Sequence, residues 1–223
     1  MRLIAHPSCT RCSLHTDATN PGVPTVAHPF SDPDPSNPFI LFVGQNPGYN
    51  EDQTNTPFVG PSGKILNTYI NGISLHDHPF TLYKTNAVRC FTVNNETPRT
   101  GPIRHCSTHL HLDLVTLLNW HAQTPHPVVV ALGAVAVRSL HYLFPDSVPN
   151  TLTKSFSSQG ILVRAPAGFF RFFSTFHPAA VMRNRNLSDP VGDHMQLLLD
   201  YVLDGSVPTP SDPDIVTPYP PHP

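Results

Sequence analysis

Positive charge is scarce in this chain. Lys and Arg together number 13 among 223 residues, against 15 Asp and Glu, and the formal net charge is −2. No broad basic field of the kind that gathers polyanions can arise from that balance. Contact with a polyanion would fall to local groups such as Arg183 and Arg185, or to backbone amides. Long apolar runs are missing as well. Met1-Arg2-Leu3-Ile4-Ala5 gives way at once to His6 and Pro7, far short of a secretion signal or a bilayer span. Cysteine is rare too, at four residues, too sparse for the disulfide framework of a small secreted domain. These absences predict a soluble, cytoplasmic protein with no membrane partner, and the length suits one domain with a sizeable core.

What cysteine there is has a pattern. Cys9 and Cys12 form a C-x-x-C pair, and Cys90 and Cys106 follow far downstream. A C-x-x-C bite is too tight to serve as a disulfide staple, and one close pair plus two distant residues reads as a four-thiolate metal centre. Four thiolates can hold either zinc or a [4Fe–4S] cluster, and the spacing leaves both open. The Cys90–Cys106 segment begins where a strand ends and finishes inside a helix, so a centre there would pin a long loop onto the fold.

Proline, by contrast, is abundant at 27 residues, concentrated in Pro21–Pro38 and in the tail Pro208–Pro223. The tail reads as extended or disordered. The expectation is one domain over residues 1–205 and a proline-rich tail over 206–223. Within the domain, strand and helix patterns alternate. Phe39–Val43, Leu82–Val88, Val128–Leu132 and Gly168–Phe176 read as strands, the last paired in a hairpin with Gly160–Arg164. Ser62–Ile70, Pro102–Trp120, Ala134–Phe144 and Asp193–Leu203 read as helices. In the longest of these, Leu110, Leu112, Leu114, Val115, Leu117 and Leu118 are expected to form the buried side. The alternation predicts an α/β protein, a three-layer α/β/α sandwich around a four-stranded, mostly parallel sheet.

In such sheets ligands bind beyond the carboxyl ends of the strands. Three of those places are chemically loaded. Gly44-Gln45-Asn46-Pro47-Gly48-Tyr49-Asn50-Glu51-Asp52 follows the first strand and runs on to Pro57-Phe58-Val59-Gly60. Thr85-Asn86 precedes Arg89-Cys90 at the second, and His177-Pro178 follows the last, with Arg183 nearby. Each alone is an ordinary turn, cap or dipeptide, but three at one sheet edge make a site. His105, His109 and His111, close to Cys106, read as a surface helix face rather than as metal ligands.

Taken together, the cysteine pattern, the G-x-x-P-G-x-x-E-D loop running into P-F-V-G, the T-N before the third cysteine and the late H-P resemble the iron–sulfur, family-four-like branch of the uracil-DNA glycosylase superfamily. The resemblance spans Cys9 to the last helix. It implies a monofunctional, monomeric enzyme that flips a uracil out of DNA and hydrolyses its N-glycosidic bond. A [4Fe–4S] cluster on Cys9, Cys12, Cys90 and Cys106 is implied, structural in role, with zinc as the alternative. No lysine stands in a nucleophile position, so no Schiff-base step is expected.

The resemblance also implies roles. Phe58 offers a face to the extruded base, and Asn86 can meet the N3–H and O4 of uracil with one amide. His177 donates to O2 and stabilises the departing anion, with help from backbone amides at Gln45 and Gly48. Glu51 lies at the C5 edge. Asn46, where the branch commonly carries a small residue, resembles the water-positioning Asn of the mismatch-specific and single-strand-selective branches. Met182, Arg183 and Arg185 are expected to wedge into the DNA and contact phosphates. Gln45, Asn46 and Asn55 depart from the branch pattern. They leave room for a different base, such as a modified cytosine of viral DNA, or for a lesion-binding protein without catalysis.

Overall fold

The computed structural model describes residues 2–3, 9–28, 33–72, 80–124, 127–155 and 160–204; the proline-rich tail, with its boundary after residue 205, lies outside them. In chain order the elements are β1 (Arg2–Leu3), α1 (Leu14–Asp17), β2 (Thr25–Ala27), β3 (Phe39–Gly44), α2 (Tyr49–Thr54), α3 (Pro61–Gly72) and β4 (Thr81–Asn86). There follow α4 (Thr100–Trp120), β5 (Val128–Leu132), α5 (Ala134–Leu143), α6 (Leu152–Ser155), β6 (Ile161–Ala165), β7 (Gly168–Thr175), α7 (Pro178–Arg183) and α8 (Ser188–Asp204).

The strands form one sheet in the order β1-β2-β4-β3-β5-β7-β6. The four strands expected from the sequence are its parallel centre, β4-β3-β5-β7. Three further strands extend it antiparallel: β1 and β2 beyond β4, and β6 beyond β7. The sheet is therefore wider than expected. β1 and β2 are too short to show an alternating pattern, and β2 sits in the proline-rich stretch, where composition masks it.

Alternation along the central strands divides the core. Phe39, Leu41 and Val43 of β3 pack with Ile103, Leu110, Leu114 and Leu117 of α4 and with Val137 and Leu140 of α5. Ile40 and Phe42 point the other way, to Leu66 and Ile70 of α3, Val181 of α7 and Met195 and Leu198 of α8. Both faces are covered, so β3 and β5 at the centre are apolar throughout, while β4 carries the buried polar residues Thr81, Lys84 and Thr85. Along α4 the buried stripe follows the helical period through Leu110, Leu114, Leu117 and Leu118. Leu112, two residues from Leu110, falls on the far side and is 46% exposed, while Val115 is half-buried; neither belongs to the buried side expected of it. Pro102 sits in the first turn of α4, where its missing N–H has no partner to lose.

Candidate active site

The carboxyl ends of β3, β4 and β7 converge on one cavity of about 550 Å³. Gln45, Asn46, Gly48, Glu51, Phe58, Asn86, His177 and Arg183 all line it. β3 ends at Gly44, in register with Asn86 at the end of β4. A Cβ on Gly44 would lie 2.4 Å from Phe58 Cζ and 2.5 Å from Asn86 Oδ1, so the bare backbone lets both side chains close over it. Ala87 N donates to Gly44 O and Val88 N to Gln45 O, each at 2.9 Å. The two loops leave the sheet as one unit.

Asn46 follows directly. Its Nδ2 donates to Pro47 O at 2.9 Å and to Thr92 Oγ1 at 3.1 Å, with Asn95 Oδ1 at 3.4 Å. Its Oδ1 is buried and accepts no hydrogen bond. Gly48 then caps α2, whose first turn carries Glu51 and Asp52, both buried. Glu51 Oε1 accepts from Gly60 N at 2.6 Å, which ties α2 to the P-F-V-G loop. Asp52 faces away from the cavity and accepts from Thr19 N at 2.9 Å and Asn20 N at 3.0 Å. The adjacent carboxylates thus divide the work: Glu51 shapes the cavity and Asp52 fastens the N-terminal segment. Phe58 is buried at a left-handed φ of 58°, a conformation that a bulky residue holds only where its surroundings enforce it.

His177 caps α7, and its Nδ1 accepts from Ala179 N at 3.1 Å. With Nδ1 an acceptor, the ring proton of the neutral imidazole sits on Nε2. Burial lowers the His177 pKa from 6.5 to about 4, helped by the nearby Arg183 guanidinium. The imidazole is therefore neutral near pH 7 and offers one N–H. The fourth strand end supports it from below. Gly133 after β5, at φ 86°, sits so close that a Cβ would lie 3.0 Å from His177 Cβ. Arg183 is exposed at the cavity rim, whereas Met182 and Arg185, also exposed, are not among the lining residues.

All four cysteines are free thiols, Cys90 and Cys106 buried and Cys9 and Cys12 half-buried. Burial pushes the Cys90 thiol up to about 12, and Cys106, Cys12 and Cys9 push the same way against a backbone hydrogen bond at Gly22. Burial likewise pushes Cys106 up to about 11, opposed by a backbone bond at Arg89 and by the Arg89 guanidinium. The four sulfurs thus share one electrostatic neighbourhood, in which a cation is what makes buried thiolates stable. Among the described residues, no three His, Cys, Asp or Glu side chains already stand as a metal-binding group. The donor set fits a four-thiolate centre: four soft sulfurs, none in a disulfide, with Arg89 beside Cys106. Arg89 itself is buried and paired with Asp113 of α4, and Thr25 of β2 bonds to both. The reading of His109 as part of a surface face is corrected here. It is buried, with Nε2 3.3 Å from Cys9 Sγ, while His105 is exposed and His111 half-buried.

A family model described as the uracil DNA glycosylase superfamily matches residues 30–200. The chain belongs to that superfamily. Within it, the chain is similar to proteins named type-4 uracil-DNA glycosylases, which place it in that branch. The one from Sulfurisphaera tokodaii is 32% identical over 189 residues, covering 81% of this chain and 74% of its own. That of Archaeoglobus fulgidus is 30% identical over 182 residues, covering 82% of each, and that of Thermotoga maritima 33% over 184 residues, covering 80% of each.

Against that type-4 background, the sequence reading missed the far wall of the cavity. Phe91, Asn94, Asn95 and Thr97 line it, as do Tyr49 and Asn50. Most lie on the loop after Cys90, which carries no strand or helix pattern. One signal was available: Asn94-Asn95, both at φ 55°, since consecutive asparagines mark places where the left-handed region is needed.

Proposed function

We propose that this protein is a monofunctional DNA glycosylase that flips uracil out of DNA and hydrolyses its N-glycosidic bond. The observation that carries this reading is the neutral His177, its Nδ1 taken by Ala179 N, set in one cavity with Phe58, Asn86 and Asn46. Extrusion brings the base into that cavity. Phe58 meets its face, and the Asn86 amide meets N3–H as acceptor and O4 as donor. Glu51, fixed by Gly60 N, crowds the C5 edge and disfavours thymine. His177 Nε2–H donates to O2. As the C1′–N1 bond breaks, its electron pair passes into the uracil ring, and the preorganised donor stabilises that charge. Asn46 Oδ1 has no hydrogen-bond partner and is closed to solvent; with the nucleotide inserted it accepts from a water whose oxygen bonds to C1′ and whose proton leaves to solvent. An amide orients this water without deprotonating it, which suits a dissociative step. Gln45 and Gly48 supply backbone polarity, and Met182, Arg183 and Arg185 engage the DNA.

Cys9, Cys12, Cys90 and Cys106 would hold a [4Fe–4S] cluster. Bound there, it supplies structural cross-linking of the N-terminal segment to the Cys90–Cys106 loop, without electron transfer in the reaction. A cytoplasmic monomer acting on DNA completes the reading.

The test is base release from oligonucleotides carrying one uracil, single-stranded or opposite G or A, read as alkali-sensitive breaks. Breaks from the wild type that vanish in Asn46→Ala and His177→Ala are expected. No breaks from the cluster-loaded protein would overturn uracil as the substrate, and the assay on modified cytosines would then examine the second reading, which the Gln45-Asn46 pair favours.

A further inference from the structure

We propose that Thr92 is a positioning residue for Asn46, fixing which end of its amide faces the reacting water. The inference rests on the glycosylase reading above. Thr92 is buried, and its hydroxyl donates to Glu96 O at 2.7 Å. A hydroxyl has one proton, so toward Asn46 the Thr92 oxygen can only accept. It accepts from Asn46 Nδ2 at 3.1 Å, while Pro47 O takes the other amide hydrogen at 2.9 Å. Both donors of the amide are then committed, with Asn95 Oδ1 a longer third acceptor at 3.4 Å, and Oδ1 is left buried without a hydrogen bond.

The reverse orientation is excluded by the same two partners. Turning the amide over would set Oδ1 against the Pro47 carbonyl and the Thr92 oxygen, neither with a proton to give. It would also present an N–H to the water, which could no longer be held as a donor with its lone pair toward C1′. The Thr92–Glu96 bond therefore acts at one remove on the reaction centre. It also lies on the loop between Cys90 and Cys106, so the segment that the cysteines bracket carries the lock on Asn46.

The experiment is single-turnover base release from a uracil oligonucleotide by wild type, Thr92→Val, Thr92→Ser, Asn46→Ala and the double variant Asn46→Ala/Thr92→Val, with oligonucleotide affinity, melting temperature and bound iron measured on each. Valine keeps the shape and removes the acceptor. A misoriented reacting group costs roughly 10- to 100-fold in rate. Thr92→Val is expected to slow release by that order with affinity unchanged, and Thr92→Ser to recover most of the rate. In the Asn46→Ala background, Thr92→Val should then have no further effect, because its target is gone. Thr92→Val as fast as an active wild type would overturn the inference alone. So would an equal slowing in both backgrounds, the mark of a merely structural role. Should Thr92→Val fail to fold, Thr92→Ala goes through the same cycle. An inert wild type would overturn the glycosylase reading, and this inference with it.

Discussion

The rings of Phe58 and His177 face one another in the cavity, 6.3 Å between centroids and inclined by 28°. The phenyl face keeps water from the imidazole, which accords with burial as the leading cause of its lowered pKa. Base release should then show no inflection from His177 near 6.5 and should fall only as pH drops toward about 4. Single-turnover rates from neutrality downward check this, and Phe58→Ala should move the acid limb up toward 6.5. Folding stability carries the matching sign. The unfolded chain binds this proton first, so stability falls as pH drops from 6.5 toward 4.

Gly44→Ala should separate activity from folding. The added methyl meets Phe58 and Asn86 at under-contact distances, and crowding of this kind costs about 1–3 kcal/mol. Moving both base-contacting side chains should slow release by roughly 100-fold. Urea titration and single-turnover kinetics on one preparation test the pair of outcomes. Equal rates for variant and wild type would show that neither side chain needs its present position.

Asp52→Ala should loosen the N-terminal segment while leaving the cavity intact. Two backbone amides, Thr19 and Asn20, lose their acceptor; Thr19 is exposed and Asn20 half-buried, so water takes over in part and each lost bond costs about 0.5–1.5 kcal/mol. Hydrogen exchange should accelerate at those two amides, with a lower melting temperature. Unchanged exchange there would remove Asp52 from this role.

Asp113→Ala leaves the buried Arg89 guanidinium without its carboxylate. Breaking such a pair costs about 3–5 kcal/mol, and because Arg89 adjoins Cys90 and reaches Cys106, metal retention should fall as well. Purified wild type is expected to be brown, with broad visible absorption that Asp113→Ala weakens. Colourless wild type with stoichiometric zinc would overturn the iron assignment.

Much of this was legible because the decisive residues sit where pattern is strong. Phe39–Gly44 is apolar on both faces, so its strand and the loaded loop after it could be placed together. Asn86 and His177 were found by the same logic, as polar residues at strand ends. Thr92 was not, because Phe-Thr-Val-Asn-Asn has no period and its importance depends on a partner 46 positions away. His109 hid for a related reason: a histidine on a polar helix resembles a solvated one until Cys9 folds over it. The Arg89–Asp113 pair joins a strand-end loop to mid-helix, a link that local spacing does not announce.

The N-terminal segment has a further property, which concerns time. Among the described residues its anchors come later in the chain: Asp52 for Thr19 and Asn20, Lys84 and Tyr83 for β2, Thr108 for Arg11 and His109 for Cys9. On a ribosome, Cys9 and Cys12 emerge before any of these partners exists. Cys106 sits in α4, so the fourth thiol appears long after the first two. Contacts between distant parts of a chain form late. Closing of this strap therefore waits at least for α4, and until then the nascent chain carries two unprotected thiols side by side.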